Sequence, residues 1–158
     1  MDRRVGRQGR LTGAVNGRTL PRMELADRLE LHELPGRYGD AIDDRDWEAL
    51  AGIFTDDAVF DLTDLGVPLL NGLADIKRFM RDDANHPRMH LMTNIYADDS
   101  PTGAQLHFRI VTRYAEGPMV TASYHDDVVR TDAGWRVRHR VVTRRRTRVT
   151  SAPDGIGT

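Results

Sequence analysis

From Leu25 to Ile42 apolar side chains return every three or four residues, at Leu25, Leu29, Leu31, Leu34, Tyr38 and Ile42, with His32 on the same side. That is the period of one helix face. Pro35-Gly36 interrupts it, and because proline lacks a backbone donor and crowds the carbonyl four residues earlier, the pattern predicts a kink or a break near Leu34. Asp44 or Asp46 can cap a second helix through Trp47, Leu50, Ile53 and Phe54. Thr55-Asp56-Asp57 then turns the chain into a short strand, Ala58 to Leu62, and a third helix is predicted from about Leu73 to Asp83. From His90 onward the period shortens toward two. Residues 90–97, 104–116, 119–131 and 135–146 read as strands, separated by Asp98-Asp99-Ser100-Pro101, Glu116-Gly117-Pro118 and Asp132-Ala133-Gly134. Alternation places His90, Met92 and Asn94 on one face of the first of these, and Leu106, Phe108, Ile110 and Tyr114 on one face of the next.

Helices first and consecutive strands afterwards, without repeating strand-helix units, predict an α+β domain whose antiparallel sheet curves over the N-terminal helices and leaves a hydrophobic pocket at its open end. The 158 residues suffice for one domain with a real core. Its expected bounds are 23–148. The Gly- and Arg-rich segment 1–22 has neither period and few large apolar residues, so it is expected to be a disordered basic extension or an upstream start before Met23. Residues 149–158 are expected to form a flexible tail.

Composition removes several classes of chemistry. With no cysteine there can be no disulfide, thiolate nucleophile or Cys-bound metal. No apolar run has the length of a membrane span, and no apolar stretch follows the basic N-terminus, so a cytoplasmic protein without membrane attachment is expected. The net charge of −1 is uneven: residues 1–22 hold six Arg and one Asp, +5, which leaves −6 for the rest. An acidic folded part makes nucleic acid an improbable partner. The arginines at 136, 138, 140, 144, 145, 146 and 148 alternate with Val137 and Val141, as on a solvated sheet face. Neither a Gly-rich phosphate loop nor a nucleophile elbow is present, which implies a reaction without a cofactor.

The remaining chemistry lies in two segments, Tyr38 to Asp43 and His90 to Asn94, with Asp43 and His90 47 positions apart. A carboxylate against an imidazole fixes its tautomer and steadies the imidazolium, the requirement of a general base. Each residue also has a plainer reading. Asp43 belongs to an acidic turn that ends one helix and caps the next, and Tyr38 keeps helical spacing with Leu34 and Ile42, as a core residue would. The His86-Pro87-Arg88-Met89-His90 spacing invites a metal site, but proline and the strand context spoil it, so no metal is expected. Tyr124 and Asn94 are polar candidates for the pocket, facing inward among Met92, Phe108 and Ile110. His32, His107, His125 and His139 read as surface or structural.

The succession Arg37-Tyr38-Gly39-Asp40-Ala41-Ile42-Asp43, Ile53-Phe54-Thr55-Asp56-Asp57, Asn71-Gly72, His90-Leu91-Met92-Thr93-Asn94, Tyr124-His125-Asp126-Asp127 and Gly134-Trp135-Arg136-Val137 resembles the SnoaL-like branch of the nuclear transport factor 2-like superfamily. The resemblance spans about residues 23 to 146. It implies a cone-shaped α+β barrel around an apolar cavity. It also implies a His-Asp dyad, Asp43 with His90, as in the dehydratase and dehydrochlorinase members. Tyr38 falls on the pocket tyrosine of the bile-acid dehydratases, whereas Val111 stands where scytalone dehydratase has a second histidine.

Three functions are compatible with this pattern. The first is a cofactor-independent lyase or isomerase, dehydratase-like, acting on a hydrophobic cyclic small molecule through His90, Asp43 and Tyr38. The second is a non-catalytic ligand-binding module or the small subunit of a ring-hydroxylating dioxygenase. The third, a polyketide cyclase or epoxide hydrolase, keeps the fold and gives Asp43 another role. A homodimer or higher homo-oligomer is the default assembly.

Overall fold

The computed structural model describes residues 22–83, 86–117 and 119–145. The expectations for residues 1–21 and 149–158 lie outside that range. Two helices pack on one face of a six-stranded sheet. In chain order the elements are α1 (Leu25–Asp43), β1 (Phe54–Asp61), β2 (Leu70–Asn71), α2 (Leu73–Asp82), β3 (Met89–Ser100), β4 (Gly103–Arg113), β5 (Val120–Thr131) and β6 (Gly134–Arg144). The sheet order is β2-β1-β6-β5-β4-β3. The sheet stays open, with β2 and β3 at its edges. It is mixed and not wholly antiparallel, because β1 runs parallel to β6. Among the described residues no helix is long and apolar enough to cross a membrane.

The expected break at Pro35 does not occur. Residues 31, 34, 35, 38, 41 and 42 are all buried on one side of α1, Pro35 included. A proline in a helix interior costs about 3 kcal/mol. Burying Leu31, Leu34, Tyr38 and Ile42 contributes about 1.5–3 kcal/mol for each large side chain, enough to carry the helix through the lost hydrogen bond. The same stripe leaves Leu25 and Leu29 exposed, contrary to the sequence pattern. The second predicted helix shrinks to a 3₁₀ segment, Glu48–Gly52, headed by Asp46, whose Oδ1 accepts from the Ala49 amide at 3.1 Å. Phe54 instead begins β1.

Two glycines fix close approaches. A methyl group at Gly39 would lie 3.1 Å from Met92 Cε, so this turn of α1 rests on β3 at a distance that carries Asp43, one turn later, to the start of that strand. Gly103 has φ +145, and a Cβ there would stand 2.2 Å from the Val128 carbonyl oxygen. Gly103→Ala is therefore expected to destabilise the protein by about 1–3 kcal/mol from the backbone alone, with the clash in addition. A urea midpoint equal to that of the unsubstituted protein would refute this.

Two bulges decide which side chains face the helices. In β3, Asn94 and Ile95 together oppose Phe108, and Asn94 adopts φ +53, a conformation asparagine tolerates better than most residues. Past this point the alternation is reversed: Ile95 and Ala97 take the inner positions, while Asn94 and Tyr96 are exposed. In β6, Arg138 has no partner on β5, since Val137 pairs with Val128 and His139 with Asp127. That extra residue turns Arg140 and Val142 inward.

Candidate active site

Asp43 is the last residue of α1, and its carboxylate grips His90 twice. Oδ2 accepts the His90 backbone N–H at 3.0 Å, and Oδ1 lies 2.6 Å from the ring Nδ1. A carboxylate can only accept, so the neutral imidazole carries its proton on Nδ1 and presents Nε2 as the free base. The His90 side chain is 5% exposed and that of Asp43 27%. Burial pushes the His90 pKa below its ordinary value, while the hydrogen bond and charge of Asp43 oppose the shift. At neutral pH the imidazole is thus an unprotonated base with its counterion in place.

Arg45 locks the two elements together. With φ +61, it donates from Nη1 to the Ile42 carbonyl at 2.7 Å and from Nη2 to the Pro87 carbonyl at 3.1 Å. One guanidinium therefore ties the end of α1 to the segment just before β3, and so holds the aspartate against the histidine.

His90 opens onto a cavity of about 490 Å³ whose walls include Phe60, Leu62, Phe79, Met80 and Ile110. Tyr38 and Tyr124 line the same cavity. Their rings lie 6.4 Å apart, and burial raises both phenol pKa values, that of Tyr124 well above the ordinary tyrosine value. Both hydroxyls therefore stay protonated, and because they hydrogen-bond each other one proton of the pair is left to donate into the cavity. The structure thus brings His90, Tyr38, Tyr124 and Ile110 to one cavity, with Asp43 behind His90. Three candidates lie elsewhere. Asn94 is on the outer face because of the β3 bulge, Met92 is wedged against Gly39, and Phe108 stacks beneath Tyr124 at 4.8 Å.

Two residues of this region escaped the sequence reading. Arg140, expected on a solvated face, is fully buried, with Nε and Nη2 donating to Asp126 at 2.8 and 2.7 Å. Its guanidinium lies 4.2 Å from the centroid of the Tyr38 ring and 5.2 Å from that of Tyr124. Phe54, Phe60 and Phe108 complete an aromatic cage. The bulge at Arg138 hides this arrangement from any alternation rule. A faint signal was the Asp126-Asp127 pair on a strand otherwise suited to burial.

His86 is the second. Its ring lines the cavity 5.3 Å from that of His90, and its buried Nε2 has no hydrogen-bond partner. Burial first, then the neighbouring His90 and Arg45, lower its pKa to about 4. Because the folded-state value lies below that of an unfolded histidine, the unfolded chain binds more protons between pH 6.5 and 4. Stability is intact above that window and falls as the pH drops through it, by about 3 kcal/mol at the most from this residue. In urea titrations at pH 7, 5 and 4, His86→Phe is expected to flatten part of the acid loss. An unchanged pH dependence would contradict this.

Comparison with known proteins places this geometry in context. A profile of the SnoaL-like domain matches residues 23–141. The uncharacterized protein Rv2910c of Mycobacterium tuberculosis is 33% identical over 135 residues, covering 77% of this chain and 87% of the relative. Among solved structures, a candidate aromatic ring hydroxylase of Novosphingobium aromaticivorans shares 28% identity with a TM-score of 0.68, over 78% of this chain and 92% of the other. From the same organism, an NTF2-like protein with a cystatin-like fold superposes with a TM-score of 0.66 at 23% identity, over 82% and 86% of the two chains.

Proposed function

Because the chain belongs to the SnoaL-like domain family, a group that matches it over residues 23–141, we propose that it is a cofactor-independent lyase or isomerase of the dehydratase kind, acting on a hydrophobic cyclic small molecule. The observation that carries this reading is the Asp43–His90 contact at 2.6 Å on the wall of an apolar cavity. His90 Nε2 removes a proton from a carbon made acidic by a neighbouring carbonyl. Asp43 holds the tautomer and stabilises the imidazolium that forms. Tyr38, with Tyr124 beside it, donates a hydrogen bond to the developing oxyanion or to the departing hydroxyl, the kind of fixed donor worth about 3–4 kcal/mol in a transition state. In a dehydration the electron pair left on carbon forms the double bond, and the hydroxyl leaves as water with the proton that His90 has taken.

Proton abstraction can be observed before the natural substrate is known. Incubated in deuterium oxide with a panel of cyclic ketones, the protein is expected to wash deuterium into the position next to the carbonyl. The reading fails if no ketone exchanges, or if His90→Gln exchanges as fast. A second reading, a subunit of a ring-hydroxylating oxygenase, draws on the likeness to the candidate ring hydroxylase. It expects no exchange from this chain alone and tight association with a larger partner.

A further inference from the structure

The inner face of the sheet is a ladder whose rows can be followed across four strands. His90 pairs with Thr112, and Thr112 with Val120. In the adjacent row Met92 pairs with Ile110, Ile110 with Ala122, and Ala122 with Arg144. Arg144 shares the inward side of β6 with Arg140 and Val142, and it lines the same cavity as His90. Three strand spacings, about 14 Å, separate its strand from β3.

Arg144 is held but not neutralised. Its backbone N–H donates to Asp64 Oδ2 at 2.7 Å, which fixes the end of β6. Its guanidinium makes no hydrogen bond or ion pair with any described residue. Among the residues that line the cavity the carboxylate is that of Asp83, at the opposite end, 3.9 Å from His86, with Asp43 behind His90; Asp64, which accepts from the Arg144 backbone, is not part of the lining. Between the two ends the wall is mainly apolar, broken by Tyr38, Tyr124, Thr112 and Thr121, and it continues outward into an exposed lip of Tyr114, Met119 and Val120, which also line the cavity. Exposed apolar side chains that prolong a cavity mark the path of a ligand.

We infer that the ligand is an amphiphilic acid: an apolar body lies along the cavity and lip, and a carboxylate or similar oxyanion at one end pairs with the Arg144 guanidinium. This deepens the proposed function and rests on it for the role of the cavity. A guanidinium presents two parallel donors that match a carboxylate. The acidic residues around His90 repel the same group, so the charge distribution admits the ligand in one orientation, with its uncharged end toward the base. Arg144 thereby becomes a specificity-determining residue.

The test compares 4-cyclohexylbutanoate with its uncharged amide by isothermal titration calorimetry at pH 7.5 and low salt. The acid is expected to bind about tenfold more tightly than the amide, the scale of one charge-assisted hydrogen-bonded pair. Arg144→Gln is expected to erase the preference. Arg130→Gln is expected to keep it, because Arg130 is ion-paired with Asp27 and Glu30 and does not line the cavity, whereas Arg145 lines it beside Arg144 and donates through Nη1 to Ser123 Oγ at 3.3 Å. Equal binding of acid and amide, binding of neither, or a preference that survives Arg144→Gln would each overturn the inference. Deuterium exchange is measured separately, with His90→Gln expected to lose exchange and retain the acid preference. A failure of the base and a failure of the anion site therefore give different results.

Discussion

Replacing His90 with glutamine is expected to lower turnover by about 10²–10⁴-fold, the range a positioned general base contributes. Glutamine keeps the backbone N–H that Asp43 Oδ2 accepts, so the thermal midpoint should move little. The pair of readouts separates loss of chemistry from loss of fold. The pH profile adds a signed test of the partner. Burial lowers the His90 pKa and Asp43 raises it. Asp43→Asn removes the raising contribution, so the acid limb of the rate profile should move to lower pH while the plateau falls, because the imidazolium has lost its counterion. An acid limb that moves upward would refute the electrostatic role assigned to Asp43.

Arg140→Met should be the most damaging single substitution for stability, at about 3–5 kcal/mol, the cost of leaving one partner of a buried ion pair without the other. Asp126 would then sit 2% exposed without the cation that now binds both of its oxygens. The double substitution Asp126→Leu with Arg140→Met is expected to recover much of that loss, since well-packed apolar residues replace buried pairs at little net cost. Chemical denaturation of the three proteins measures the coupling. If Arg140→Met were as stable as the unsubstituted protein, the pair would contribute nothing to folding.

The contact between Asp43 and His90 was legible in the sequence because both residues sit in regular elements. Asp43 ends the helix that carries Tyr38 and Ile42, and His90 opens a strand, so a fold resemblance was enough to pair them. Legibility ended where the period changed within an element. One inserted residue at Arg138 converted a supposedly solvated arginine into a fully buried cation, and the Asn94–Ile95 bulge moved a pocket candidate to the outer surface. Pro35 misled in the opposite sense, because a local rule about hydrogen bonding gave way to the burial of a whole helix face. His86 was weighed only as half of a metal motif, although one imidazole beside another in a cavity requires no metal to be useful.

The parallel pairing of β1 with β6 also bears on the order of events during synthesis. Phe60 lies beside Arg140, so β1 leaves the ribosome long before the strand that completes its edge. Until β6 arrives, Phe54 and Phe60 lack the guanidinium they surround. Contacts so distant in sequence are slow to form, and an unpaired apolar strand is exposed to association with other chains in the meantime. Chains that end before β6 should therefore be held by chaperones or aggregate, and the Asp43–His90 pair at the other edge of the sheet would acquire its cavity only in the last stage of folding.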